Sequence, residues 1–155
     1  MVGCVADIAD TGSDKSDTGY VLEQQAGHLL RRAHQRHAAI FQALIGGSQL
    51  TPLQFAAIVR LGELGEVSQN QLGRLTAMDA ATMQGVIKRL AARGLIARRP
   101  DPDDRRRLIL SLSESGKALA DSVIANAIRI TEVTLEPLTA AEQKVFLKLL
   151  ARISE

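Results

Sequence analysis

The sequence predicts a mainly α-helical domain with one small β-hairpin, and three observations carry that prediction. Hydrophobic residues make up 46% of the 155, yet aromatics are only 3% and Trp is absent. The core must therefore be built from Leu, Ile, Val, Ala and Met, in a chain of single-domain size. Apolar residues recur at helical spacing through most of the chain, in segments that open on Thr51, Ser68, Asp79, Ser113 and Thr139. These are residue types that cap helix N-termini. Strand-like alternation arises in one place, around RRPDPDDRRRLILS, Arg98 to Ser111, whose first ten residues hold five Arg, three Asp and two Pro.

Residues 1–19 are rich in Asp, Gly, Ser and Thr and read as a mobile tail. The tail has no basic region and no long apolar run, so it does not read as a secretory signal. From Tyr20 to Ile45, the positions Leu22, Ala26, Leu29, Leu30, Ala33, His37, Ile40, Phe41 and Leu44 have helical spacing, and Gly46-Gly47 stop the helix. A helix that long has more apolar length than its own domain covers, and a partner chain is the natural cover. The next helix opens on Thr51 with Pro52 at its first position and Gln54 completing a capping box. Its buried side is expected to carry Leu53, Phe55, Ile58, Val59 and Leu61, and Gly62 and Gly65 are expected to end it.

Ser68 with Gln71 then caps a short helix to Leu75, and Asp79 with Thr82 starts another to Arg93, with Gly94 behind it. Two short helices this close read as a helix-turn-helix. Met83, Val86, Ile87 and Leu90 form the inward face of the second, and Ala81, Gln84, Gly85 and Lys88 the outward face. LIARR and RLILSLS form a hairpin around the charged turn. Ser113 caps a long helix to Leu135, with Leu119, Val123, Ala127, Ile130 and Val133 on one face. Pro137 breaks it, and Thr139 with Glu142 caps a last helix carrying Val145, Phe146, Leu149 and Leu150.

Net charge is +2, but from Arg74 to Arg107 nine Lys or Arg stand against four Asp, a local +5. A basic segment on a slightly acidic remainder points to an anionic partner. A helix-turn-helix followed by a hairpin is a winged helix, and the charged stretch is then the tip of the wing. Arg there can reach phosphates or a narrow minor groove. The neighbouring carboxylates fix the direction of the guanidinium groups.

The run DDRRRLILSLSESGK, Asp103 to Lys117, resembles the wing signature of the MarR family, the multiple antibiotic resistance type of bacterial transcription regulators. That signature is D-x-R, alternating apolar residues, then L-T-x-x-G; Ser113 stands here where Thr is usual. LTPLQFAAIV, SQNQLGRL, DAATMQGVIKRLAARGLIARR and LTAAEQ match further elements of that family in the same order, so the resemblance runs from Tyr20 to the C-terminus. It implies a single domain over 20–155. Residues 51–113 form the winged helix-turn-helix, and 20–45 and 114–155 interlock with a second copy. It further implies a repressor on palindromic double-stranded DNA, with half-sites about 10 bp apart, one recognition helix in each major groove and one wing in each minor groove. On the family pattern Arg106 is the wing-tip Arg and Asp104 its brace. Ser68 and Asn70 lie near the DNA backbone, and Ala81, Thr82, Gln84 and Lys88 fall on the recognition helix. Gln84 can pair bidentately with adenine. Arg74, Lys88 and Arg98 suit phosphates, which position without specifying.

Three switches can be weighed from the residues. Oxidation would need a reactive Cys, and the single Cys4 sits in the tail without a basic neighbour to hold a thiolate. Metal sensing would draw on His28, His34 and His37, but there is no Cys–His cluster and no HExxH motif. The helix GHLLRRAHQRHAAIF offers His28, Arg31, Arg32, Arg36 and His37 for a small organic anion. This stretch is similar to family members that respond to aromatic acids or aromatic acyl-CoA thioesters, with ligands between this helix and the DNA-binding lobe. The alternative is that these Arg cover a dimer surface and pair with acids such as Glu23.

Other classes find little support. ESGKA lacks the spacing and the final Ser/Thr of a phosphate loop, and no G-x-S-x-G occurs, so neither an enzyme nor a cofactor is expected. The absence of long apolar runs speaks against a membrane span, and one Cys fits the cytoplasm. A winged helix can also serve as a protein-interaction module, or regulate without a ligand. The small, basic outward face around Gln84 and Lys88 favours DNA.

Overall fold

The computed structural model describes residues 19–104 and 106–155. The expected tail with Cys4, apart from Gly19, and Arg105 of the charged turn lie outside the described residues. The elements run α1 (Ala26–Ile45), α2 (Pro52–Leu64), β1 (Glu66–Ser68), α3 (Gln69–Leu75), α4 (Ala80–Ala92), β2 (Ile96–Pro100), β3 (Leu108–Leu112), α5 (Glu114–Leu135) and α6 (Ala140–Ile153). Short 3-10 turns at Leu22–Gln24 and Gly46–Ser48 flank α1.

Helix α1 begins at Ala26, not at Tyr20. Gln25 is extended and its Nε2 donates to the Val21 carbonyl at 2.8 Å, which closes the preceding turn on itself. The Gly46-Gly47 pair does end the helix, but not by a left-handed glycine. Gly46 stays helical at φ −54, and the chain reverses at Gln49, whose φ is +57. At α2 both arms of the capping box form: Gln54 N donates to Thr51 Oγ1 at 3.3 Å and Thr51 N to Gln54 Oε1 at 3.1 Å. This lets Gln54 be buried, where Leu53, expected inside, is exposed. Gly62 lies within the helix instead of ending it; a Cβ there would stand 3.6 Å from Leu112, an ordinary contact distance. Gly65 terminates α2 with φ +76.

The sheet is three-stranded and antiparallel in the order β1-β3-β2. The hairpin pairs Ile96 with Leu112 and Pro100 with Leu108. Strand β1 was not legible, because three residues are too few to show alternation; it pairs Val67 with Leu110 and Ser68 with Ile109. Ile58, Leu61, Leu72, Met83, Val86, Leu90 and Leu110 are all but fully buried. They make one aliphatic core beneath the helix-turn-helix and the sheet. Phe41 and Phe55 meet edge to face at 5.7 Å and tie α1 to α2.

The start of α5 is joined to the turn between α4 and β2 by a dense set of bonds. Ser113 Oγ accepts from Gly116 N at 3.1 Å and donates to the Gly94 carbonyl at 2.6 Å, and Ser115 Oγ donates to the same carbonyl at 2.9 Å. At the other end of the chain α6 has its full Thr139–Glu142 capping box but buries no residue. Its expected apolar stripe, Val145, Phe146 and Leu149, lines an open groove of about 390 Å³ with Leu138 and Ala141. Leu29 and Leu30 of α1 are likewise exposed. Local pattern makes these helices amphipathic, but one chain alone does not cover them.

Candidate nucleic-acid interface

Helix α4 stands on the core through Met83, Val86, Ile87 and Leu90, so helical geometry turns Ala81, Gln84 and Lys88 outward, all exposed. Thr82 is half-buried; its N–H donates to Asp79 Oδ1 at 2.7 Å, which caps the helix and holds the Asp79 carboxyl below its ordinary value. Asp79 thus positions the first turn, and Ala81, Gln84 and Lys88 project clear of the core.

The pairing of Ser68 with Ile109 places the start of α3 beside the root of the wing. Ser68, Gln69, Asn70, Arg106 and Arg107 line a polar notch there of about 120 Å³. Ser68 itself is buried and its hydroxyl accepts from Gln71 N at 3.3 Å, so its first role is to cap α3. A second cleft, about 210 Å³, holds Asn70 and Arg74 against Ala80 and Met83. The two clefts share Gln69 and Asn70, so wing, α3 and the start of α4 form one continuous surface.

At the wing tip the carboxylates do structural work. Asp104 Oδ1 accepts from Arg106 N at 3.0 Å and from Arg106 Nε at 3.3 Å, while the Arg106 side chain is 92% exposed. The guanidinium is aimed but solvated. Asp101, not singled out from sequence, is buried; its Oδ1 accepts from Asp103 N at 3.0 Å and its Oδ2 lies 3.7 Å from Arg107 Nε. The signal was present in an Asp between two prolines, a turn-forming context. Arg99 donates to both Glu66 oxygens, at 2.8 and 3.3 Å, which lowers the Glu66 carboxyl. Arg98 points to the other face of β2, exposed and opposite Leu110.

Of the five α1 residues considered for an organic anion, Arg36 and His37 share a partner in Thr134. Arg31 and Arg32 are exposed and His28 is half-buried. Arg36 donates to the carbonyls of Val133 and Thr134, the former at 2.9 Å, and His37 Nδ1 lies 3.1 Å from Thr134 Oγ1. Arg36 therefore satisfies the C-terminal carbonyls of α5, where a cation also suits the helix dipole. Sequence reading missed a different feature: a cleft of about 380 Å³ between the end of α1 and the middle of α5, lined by Leu44, Ser48, Leu119, Ser122 and Asn126 among others. Asn126 Nδ2 bridges it to the Leu44 carbonyl at 3.1 Å. Among the described residues no group of His, Cys, Asp and Glu is placed to hold a metal ion. No helix among them is long and apolar enough to cross a membrane.

Glu66, Asp79, Glu114 and Glu142 are all held below their ordinary values, by Arg99, the Thr82 amide, Lys117 and the Thr139 hydroxyl and amide respectively. Each binds its proton less tightly folded than unfolded, so its contribution is present above the ordinary carboxyl value and lost as pH falls through the folded one. The melting temperature is expected to hold steady down to about pH 5 and to fall at lower pH. A melting series from pH 7 to 3 checks this, and a loss that began near pH 6 would contradict it.

The MarR family model matches residues 48–107. The transcriptional repressor NicR of Pseudomonas putida is 44% identical over 137 residues, covering 88% of this chain and 87% of NicR. A crystal structure of a probable transcriptional regulator from Pseudomonas aeruginosa superposes with a TM-score of 0.82 at 54% identity, over 86% of this chain and 99% of that one. The structure reporting regulation of DNA binding of Bordetella bronchiseptica BpsR by 6-hydroxynicotinic acid gives 0.84 at 43% identity, over 88% and 97%. With the wing, the helix-turn-helix and the flanking helices all matched along these lengths, the chain belongs to the MarR family of DNA-binding transcription regulators.

Proposed function

We propose that this regulator is a cytoplasmic homodimeric repressor, released from a palindromic operator by a small aromatic carboxylate of the 6-hydroxynicotinic acid class. In this reading residues 51–113 touch DNA and 20–45 with 114–155 hold the dimer. Arg106, braced by Asp104, enters the minor groove. Ala81, Thr82, Gln84 and Lys88 face the major groove, and Ser68, Asn70, Arg74 and Arg98 meet the DNA backbone. The observation that carries the DNA side is the continuous surface joining Arg106, Asn70 and Arg74 to the start of α4. The uncovered groove of α6 supports a second copy.

For the effector, the α1–α5 cleft suits a single ring, with Ser48, Ser122 and Asn126 as polar partners. The basic stretch of α1 is a separate place. Arg31 stands about 20 Å from Leu44 along the helix, too far for one small acid to touch both, and Arg36 and His37 are engaged at Val133 and Thr134. A coenzyme A thioester could span that distance, but a relative 43% identical is regulated by a single-ring acid. His28, Arg31, Arg32, Arg36 and His37 would then tune the charge near the dimer contact more than hold the ligand.

The test is fluorescence anisotropy on DNA from the protein's own upstream region, across a salt series, with 6-hydroxynicotinic acid, p-coumaroyl-CoA or benzoyl-CoA. Specific binding at roughly nanomolar strength and a tenfold or greater rise in Kd, on the order of 1.4 kcal/mol, with the free acid are expected. Release by a thioester alone would reassign the ligand to the basic stretch. No specific binding at any salt would make the wing a protein-contact arm.

A further inference from the structure

The recognition helix α4 ends at Arg93, and this side chain reaches far across the chain. Its Nη2 donates to the Ser48 carbonyl at 2.8 Å and its Nη1 to the Gln49 carbonyl at 2.9 Å. Both acceptors lie in the link between α1 and α2, the segment that joins the lobe meant for dimerisation to the helix-turn-helix. Ser48 also lines the α1–α5 cleft. One planar guanidinium thus ties the base of the recognition helix to the wall of the cleft.

We propose that Arg93 is a positioning residue for DNA recognition: it sets the seating of α4 from the state of the 46–50 link. This rests on the DNA-binding reading above and extends its regulation.

Three features support a coupling role over simple packing. The fork-shaped guanidinium holds two adjacent carbonyls at once, so it senses the rotation of the link as well as its distance. The link holds a non-glycine residue, Gln49, in left-handed geometry at φ +57, a conformation its surroundings must maintain. Ser48 Oγ holds the Ile45 carbonyl at 2.7 Å, so a shift at the end of α1 passes directly to the Ser48 peptide. At its other end α4 is a rigid rod about 20 Å long, and a small tilt imposed at Arg93 moves Ala81 and Gln84 across a base pair. Arg93 is exposed and Leu50 remains buried in the core. Removing the strut is therefore expected to leave the core packing in place.

Arg93→Ala and Arg93→Lys are to be compared with the native chain on operator and on unrelated duplex, across salt, alongside thermal melting. Arg93→Ala is expected to weaken operator binding by about 3- to 30-fold. Its affinity for unrelated duplex, its salt slope and its melting temperature should stay near those of the native chain. Lys, with one donor group in reach, should recover part of the loss. A salt slope reduced by about one phosphate's worth, with both DNAs weakened alike, would make Arg93 a phosphate contact and overturn the proposal. So would unchanged operator affinity, or a loss that follows a lowered melting temperature. With 6-hydroxynicotinic acid present, the ratio of operator Kd with and without the acid should shrink in Arg93→Ala. If the native chain ignores the acid, the effector reading fails while the acid-free comparison still decides the role of Arg93.

Discussion

Gly116→Ala is expected to lower the melting temperature by about 4–8 °C. A Cβ at this position would lie 2.0 Å from the Leu95 carbonyl oxygen and 3.0 Å from its carbon. The obstacle is backbone, so no side-chain rotation relieves it, and α5 must move off the start of β2. That movement strains the Ser113 and Ser115 bonds to the Gly94 carbonyl, at 2.6 and 2.9 Å. Overpacking of this kind costs about 3 kcal/mol at the upper end of its usual range, and each kcal/mol shifts melting by about 2–4 °C at this chain length. The helix propensity that Ala gains over Gly, about 1 kcal/mol, offsets only part. Gly27→Ala on α1, with nothing within 4 Å of its Cβ position, is the control and should melt at or slightly above the native temperature. A Gly116→Ala protein melting within about 2 °C of native would mean that the α5 junction yields easily.

Arg106→Ala should weaken operator binding by roughly 1–3 kcal/mol, about 5- to 150-fold, with the salt slope reduced by about one. Melting should not change, because the side chain is 92% exposed and its 3.3 Å pair with Asp104 is solvated. Asp104→Ala separates two roles. If the carboxylate only repels phosphate, its removal tightens binding. If it aims the guanidinium, through the 3.0 and 3.3 Å bonds to Arg106, binding weakens while the salt slope stays. The second outcome is expected. Unchanged affinity in Arg106→Ala would take the wing out of the interface.

Much of this was legible along the chain because it is encoded locally. The caps at Thr51, Ser68, Asp79, Ser113 and Thr139 all form, since a hydroxyl or carboxylate three residues from its amide needs no distant partner. The inward face of α4 followed from its period, and so did its outward one. The Gly in the ESGK run was readable as a family feature, but its reason, the Leu95 carbonyl against Gly116, lies across the fold.

Other features did not follow from hydrophobic period and capping signals. Tyr20 to Gln25 has helical spacing, but Gln25 turns its amide back on Val21. Gly62 reads as a helix stop, and α2 instead runs through it to Leu64, held by the core beneath. Arg36 reads as one candidate for an anion, and the fold adds the Val133 carbonyl at the end of α5 as its partner. Arg93 reads as one more surface cation at a helix end, until folding brings Ser48 and Gln49 beneath it. By itself the sequence determined the helices, their caps, the wing and the outward residues of α4, because hydrophobic period and capping act within a few residues. Only the tertiary structure decided the third strand, the α1–α5 cleft and the partners of Arg36, Arg93 and Asp101, because an arginine's chemistry is the same wherever it stands and its role depends on which carbonyl or carboxylate the fold carries to it.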